Sequence, residues 1–158
     1  NEGVEALRYA VQAFLQDAAL SRAGNYSDVS FVLRPGEVLG VYGLVGAGRS
    51  EFARAIYGEL RPDSGHIMFD GQEVTLRKPQ DAIAHGVLYV AEDRRHQGLF
   101  PIRATRDNLS AGILHSLTSL FGLIRPQSEE SVALALMKQL SIKASSPMAP
   151  VSSLSGGN

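Results

Sequence analysis

The 158-residue chain contains no cysteine and no tryptophan. Without thiols there is no disulfide framework, no thiolate zinc site and no cysteine nucleophile; the composition fits a reducing compartment without establishing one. A surplus of one charge is also missing: 15 Lys and Arg face 16 Asp and Glu, a formal net charge of −1. A nucleic-acid clamp needs excess cations to neutralise phosphates, so no nucleic-acid partner is expected. His66, His85, His96 and His115 are scattered, with no spacing that gathers metal ligands. Long apolar runs are absent. The longest, 38–48 and 113–124, are too short or too interrupted by polar residues to span a bilayer. Asn1 opens the chain with no basic-then-apolar leader, and Gly156-Gly157-Asn158 closes it; the expectation is a piece of a longer soluble chain.

What is present is ordinary globular material, 44% hydrophobic and 20% charged, which argues against disorder and coiled coil. The length suits one domain able to bury roughly two thirds of its unfolded surface. Apolar residues at Val4, Leu7, Val11, Phe14 and Leu15 have helical spacing, and 13–20 reads equally as a strand. Alternation through Val29, Phe31 and Leu33 predicts a strand over 26–33. The near-continuous apolar run 38–42 predicts a strand buried on both faces, and 87–90 another. Asp70-Gly71 predicts a hairpin between 66–69 and 74–76. Helices are expected at 49–59, between Pro79 and Gly86, at 107–114, and at 128–140 with Ser128 as N-cap.

The chemistry concentrates in Gly43-Leu44-Val45-Gly46-Ala47-Gly48-Arg49-Ser50. These residues match the phosphate-binding loop G-x-x-x-x-G-K-[ST] except that Arg49 replaces Lys. Gly43, Gly46 and Gly48 lack Cβ, so the loop can wrap closely enough for its amides to face phosphate oxygens. The helix starting near Arg49 adds the positive end of its dipole. Arg49 supplies a permanent planar fork, and the Ser50 hydroxyl suits Mg²⁺ bridging the β- and γ-phosphates. The plain alternative is a glycine-rich strand-to-helix turn with no ligand, Arg49 being a solvated helix-start cation. Leu154-Ser155-Gly156-Gly157-Asn158 is a second amide-rich anion nest; alone it also reads as a flexible linker.

Together the two motifs resemble the Walker A loop and the LSGGQ-type signature of ATP-binding-cassette (ABC) ATPases. Residues 36–51 look like the second nucleotide-binding domain of bacterial monosaccharide (ribose/galactose-type) importer ATPases, a domain type with Arg in its loop. The likeness continues through Pro62-Asp63-Ser64-Gly65, Asp70-Gly71, Asp81-Ala82-Ile83, Tyr89-Val90-Ala91-Glu92-Asp93-Arg94-Arg95, Gln97-Gly98-Leu99, Asp107-Asn108 and 140–143. It spans about residues 13–158. Ala91 stands where that family usually has Pro, and Asn158 replaces the final Gln of the general signature.

The resemblance implies an α/β fold: a P-loop NTPase core with an antiparallel β subdomain and an α-helical subdomain, the C-terminal part missing. It divides the chain into a lead-in at 1–12, a P-loop core with β subdomain at 13–100, and a helical subdomain at 101–158. Gly43, Leu44, Val45, Gly46, Ala47, Gly48, Arg49, Ser50 and Glu51 would hold ATP phosphates. Ser155, Gly156 and Gly157 would meet the nucleotide of an opposing cassette. Glu92 takes the Q-loop position, near Mg²⁺ and the attacking water, and is the catalytic candidate; Ser50 and Glu92 would serve Mg²⁺ through the nucleotide. A solvated charged loop is the alternative for 92–95. Tyr26 is a candidate to stack on adenine, or else a strand-face core residue.

The implied parent is the ATPase subunit of a sugar importer. Its partners would be a second nucleotide-binding domain arranged head to tail, membrane permease subunits and, indirectly, a periplasmic sugar-binding protein. Its place would be cytoplasmic, peripheral on the inner face of the bacterial cell membrane. The Walker B strand with its catalytic carboxylate, the D-loop and the switch His would follow Asn158, so these 158 residues by themselves are not expected to hydrolyse ATP. Two other readings stay open: a non-hydrolytic nucleotide-binding module, and a soluble cassette ATPase acting on DNA.

Overall fold

A computed structural model describes residues 15–118 and 122–155. The expected helical spacing at Val4–Phe14 and the glycines Gly156 and Gly157 lie outside the described residues. The chain divides into two units, Asn1–Tyr89 and Val90–Asn158.

In the first unit, strands β1 (Leu15–Arg22), β2 (Tyr26–Leu33), β3 (Ser64–Phe69) and β4 (Gln72–Val74) form an antiparallel sheet in the order β2-β1-β3-β4. β2 alternates as its sequence requires: Val29 and Phe31 are half-buried, between exposed Asp28, Ser30 and Val32. Register follows the apolar pattern, with Leu15 opposite both Leu33 and Phe69. Asp70 and Gly71 join β3 to β4 with φ of 50° and 78°, the two left-handed positions that a type I′ hairpin turn demands.

Helix α1 (Arg49–Ile56) lays Phe52, Ala53, Ala55 and Ile56 into the core. The Phe52 ring meets those of Tyr26 and Phe31 edge-on at 5.5 and 5.6 Å, the arrangement the ring quadrupoles favour. Helix α2 (Pro79–Ala84) starts on Pro79 and buries Ala82.

The expected strands at 38–42 and 87–90 do not form. Val38 and Tyr42 are 65% and 68% exposed, and Leu88 and Val90 are 72% and 88% exposed, although Val87 is buried. A strand buried on both faces must have hydrogen-bonded neighbours along its edges. Among the described residues no segment pairs with either run, and the neighbouring strand that the resemblance supplies is not among them. The apolar pattern was legible; the pairing that would realise it is not within these residues.

The second unit is helical: α3 (Thr105–Ser110), α4 (Leu114–Leu117) and α5 (Pro126–Gln139), with single turns at Arg94–Gly98, Ala111–Ile113 and Val151–Ser153. Ser128 is not the N-cap of α5. Pro126 opens the helix after Arg125, because a residue with no N–H and a preset φ costs nothing at the first helical position. The stretch 101–106 is tied to 147–152 by backbone bonds, Thr105 N–H to Ala149 C=O (2.8 Å) and Ser152 N–H to Pro101 C=O (2.9 Å) among them.

Glu129, only 7% exposed, links α5 to α3: the Ser110 hydroxyl donates to it at 2.7 Å and Arg106 Nε lies at 3.3 Å. Replacing Glu129 by Gln removes the charge while leaving the Ser110 bond possible, and Arg106 keeps the Asp107 carboxylate at 3.1 Å. The expected loss is therefore moderate, about 1–2 kcal/mol in urea unfolding followed by far-ultraviolet dichroism. An unchanged midpoint would show that this network contributes nothing to the unit's stability.

Candidate functional site

Residues 43–51 lie together in the first unit. The Ala47 N–H donates to the Leu44 carbonyl at 3.1 Å, closing a tight turn whose third residue, Gly46, has φ +80°. That is the left-handed position of a type II turn. A Cβ on Gly46 would meet nothing within 4 Å, so the space beside this residue is open. Gly48 has φ +77° for a different reason. A Cβ there would stand 2.2 Å from the Asn25 carbonyl oxygen, because the loop is pressed against the β1–β2 turn.

Helix α1 begins immediately after Gly48 and has no side-chain cap. Its first internal bond is Phe52 N–H to Gly48 C=O at 2.8 Å, which leaves the amides of 49–51 pointing out of the helix N-terminus. Such an end attracts anions through both N–H groups and dipole.

Arg49 is 8% exposed, so it is not a solvated helix-start cation. Its Cδ and Nε pass 3.5 and 3.7 Å from where a Gly43 Cβ would be, so the side chain folds back beneath the start of the loop. A Cβ at Gly43 would touch it at ordinary contact distance and would crowd the Ala47 Cβ at 3.3 Å. Ser50 and Glu51 are half-buried in the first turn of α1, while Leu44 and Val45 are 85% and 86% exposed. An open turn, an uncapped helix end, a hydroxyl and a guanidinium are a donor set suited to phosphate groups, with Ser50 suited to a magnesium ion beside them.

Tyr26 does not offer a ring face to a base. It is 9% exposed, and its ring packs against Phe52. The core reading of this residue is the one the packing favours. The β1–β2 turn beside it lines an open cleft of about 560 Å³ with Ser21, Gly24, Asn25 and Asp63.

Glu92 and Ser155 belong to the second unit, and both are exposed. Next to Glu92, Asp93 organises the Arg94–Gly98 turn. Its carboxylate accepts the N–H groups of Arg95 and His96 at 3.2 Å and lies 2.6 Å from His96 Nδ1. The His96 side-chain bond, then the backbone donors, hold the Asp93 carboxyl below the usual carboxylate range. An Asp three residues before a His at a turn start is the sequence signal for this capping role.

An α/β unit with a glycine-shaped loop feeding a helix is the framework of nucleotide-binding proteins. The family model described as ABC transporter matches residues 26–158, and the chain belongs to that family. It is 45% identical over 139 residues to the "Putative ribose/galactose/methyl galactoside import ATP-binding protein 3" of Burkholderia cenocepacia (strain HI2424), covering 88% of this chain and 27% of that protein. It is 43% identical to the "Ribose import ATP-binding protein RbsA" of Geobacillus kaustophilus (strain HTA426), again over 88% of this chain and 28% of the relative. The chain thus spans little more than a quarter of these relatives' length. Among solved structures, the ADP conformation of MJ1267, an ATP-binding cassette of an ABC transporter, superposes with a TM-score of 0.62. That alignment covers 92% of this chain and 60% of that one at 19% identity, a likeness of fold. The α/β cassette fold expected from the motifs is the fold observed.

Proposed function

We propose that this chain is the nucleotide-binding portion of a sugar importer's ATP-binding subunit, which in its whole form hydrolyses Mg-ATP to drive carbohydrate uptake. The observation that carries the reading is the open Gly46 turn leading into the uncapped N-terminus of α1, with Arg49 folded beneath it. The names of the relatives support import of ribose- or galactose-type sugars.

In this reading the amides of Val45 to Ser50 bind phosphate oxygens, and Arg49 adds a charge-assisted bond. Preorganised donors of this kind stabilise charge that builds on a transferring phosphoryl group. A Mg²⁺ ion at the Ser50 hydroxyl would neutralise part of the same charge. Glu92 would orient water, and Ser155, Gly156 and Gly157 would address the nucleotide of an opposing cassette. The partners proposed are that second nucleotide-binding domain, permease subunits and, through them, a sugar-binding protein. The subunit would sit on the cytoplasmic face of the membrane; among the described residues no helix is long and apolar enough to cross it.

Titration of the labelled protein with Mg-ATP tests the loop directly. Amide chemical shifts should change most at Val45 to Ser50, and adenosine should not reproduce the pattern. Shifts confined to other regions, with none at Gly46–Ser50, would reject the proposal.

A further inference from the structure

A nucleotide whose phosphates sit on residues 45–50 must lay its base on the surface beside that loop. The β1–β2 turn is such a surface: a Cβ on Gly48 would stand 2.2 Å from the Asn25 carbonyl oxygen and 3.3 Å from the Tyr26 Cβ. The open cleft of about 560 Å³ is built on this same turn. Bases are commonly held on a flat aromatic face, and the turn has none to give. The one ring among residues 21–28, that of Tyr26, is buried against Phe52. The flat group that does line the cleft is the guanidinium of Arg22.

Arg22 is held in place. Its Nε donates to Asn25 Oδ1 at 3.2 Å, and its Nη1 donates to the Arg61 carbonyl. Guanidinium donors point within the plane of the group, so these bonds fix the plane and leave its faces as what it can offer a ligand. Among the described residues no aromatic ring lies against Arg22. A guanidinium face attracts a π system whichever base carries it. The polar groups around it are engaged as well. Asn25 Oδ1 accepts from Arg22, Asp63 Oδ2 accepts the Ala23 N–H at 2.7 Å, and Ser21 Oγ accepts the Asp28 N–H at 2.9 Å. Little in the cleft is left to read the edge of a base.

We propose that Arg22 is the platform for the nucleobase, its guanidinium face standing in for an aromatic ring, and that the site in consequence accepts either purine nucleoside triphosphate. The proposal rests on the nucleotide reading of the loop. It divides the ligand between two arginines: Arg49 addresses the phosphates and Arg22 the base.

Isothermal titration of the protein with Mg-ATP, Mg-GTP, adenosine and inorganic tripolyphosphate tests it. GTP should bind within about threefold of ATP, because stacking is tolerant of the base. Arg22→Ala should weaken ATP, GTP and adenosine by a common factor of about three- to tenfold and leave tripolyphosphate unchanged. Unchanged tripolyphosphate binding also shows that the loop is still folded in the variant. Arg22→Lys keeps the charge without the plane and should not recover the loss; Arg22→Tyr supplies a flat face and should. Full recovery by Arg22→Lys would make Arg22 a charge for the phosphates, and equal weakening of tripolyphosphate would make it a brace for the loop. Either result overturns the proposal, as does ATP binding indifferent to Arg22→Ala or a GTP affinity more than about tenfold below that of ATP. In each of these cases the phosphate role of the loop stands. Failure of ATP and tripolyphosphate alike removes that role, and the base platform with it.

Discussion

Arg49→Ala is expected to weaken ATP binding by roughly ten- to a hundredfold, about 1.5–3 kcal/mol, while adenosine affinity hardly changes. The size follows from where the side chain is. At 8% exposure Arg49 is shielded from bulk water, and an ionic hydrogen bond from such a position is screened less than one at the surface. The asymmetry between ligands follows from chemistry: adenosine has no phosphate for a guanidinium to hold. Arg49→Lys should fall between, since an ammonium keeps the charge but loses the two-pronged geometry. Because the Arg49 stem passes close to Gly43, its loss also removes packing beneath the loop. Calorimetric titration with both ligands separates the effects. Equal weakening of ATP and adenosine would mean that the substitution damages the loop itself, and the phosphate role of Arg49 would be lost.

Much of this arrangement could be read before any coordinates. Strand alternation in 26–33, the Asp70-Gly71 hairpin and the helix after Gly48 are local signals. In each, the residues that decide the conformation are those that adopt it. The loop was legible for the same reason, because its glycine spacing is a statement about its own backbone. What failed was non-local. Residues 38–42 and 87–90 have the apolar content of buried strands, but a strand is completed by a neighbour, and composition cannot say whether one is present. The N-cap of α5 is Arg125 rather than Ser128, because Pro126 presets the first helical position. The distinction between Gly46 and Gly48 was invisible too, since the contact that separates them is with Asn25, in another turn of the chain.

That distinction yields a further expected result: Gly48→Ala should destabilise the first unit by about 2–5 kcal/mol, whereas Gly46→Ala should cost about 1 kcal/mol. Both glycines have nearly the same left-handed φ, +77° and +80°, so the conformational penalty for a methyl group is similar at each. The surroundings differ. At Gly48 the new Cβ would lie 2.2 Å from the Asn25 oxygen and 2.8 Å from its carbonyl carbon. Both are backbone atoms that cannot swing aside, so either the β1–β2 turn moves or α1 shifts off the sheet. Moving α1 would expose Phe52, which fills the gap between Tyr26 and Phe31. At Gly46 the methyl group enters empty space and displaces nothing in the protein. It does add bulk at a residue whose amide the proposed function sets against a phosphate. Gly46→Ala should therefore stay folded and lose ATP affinity, and Gly48→Ala should lose cooperative unfolding of the sheet unit before any ligand is added. Urea melts of the two variants beside the parent, followed by ATP titration of whichever remain folded, decide between these roles. If Gly48→Ala proved as stable as Gly46→Ala, the close approach of the loop to Asn25 could not be what holds the helix N-terminus in place.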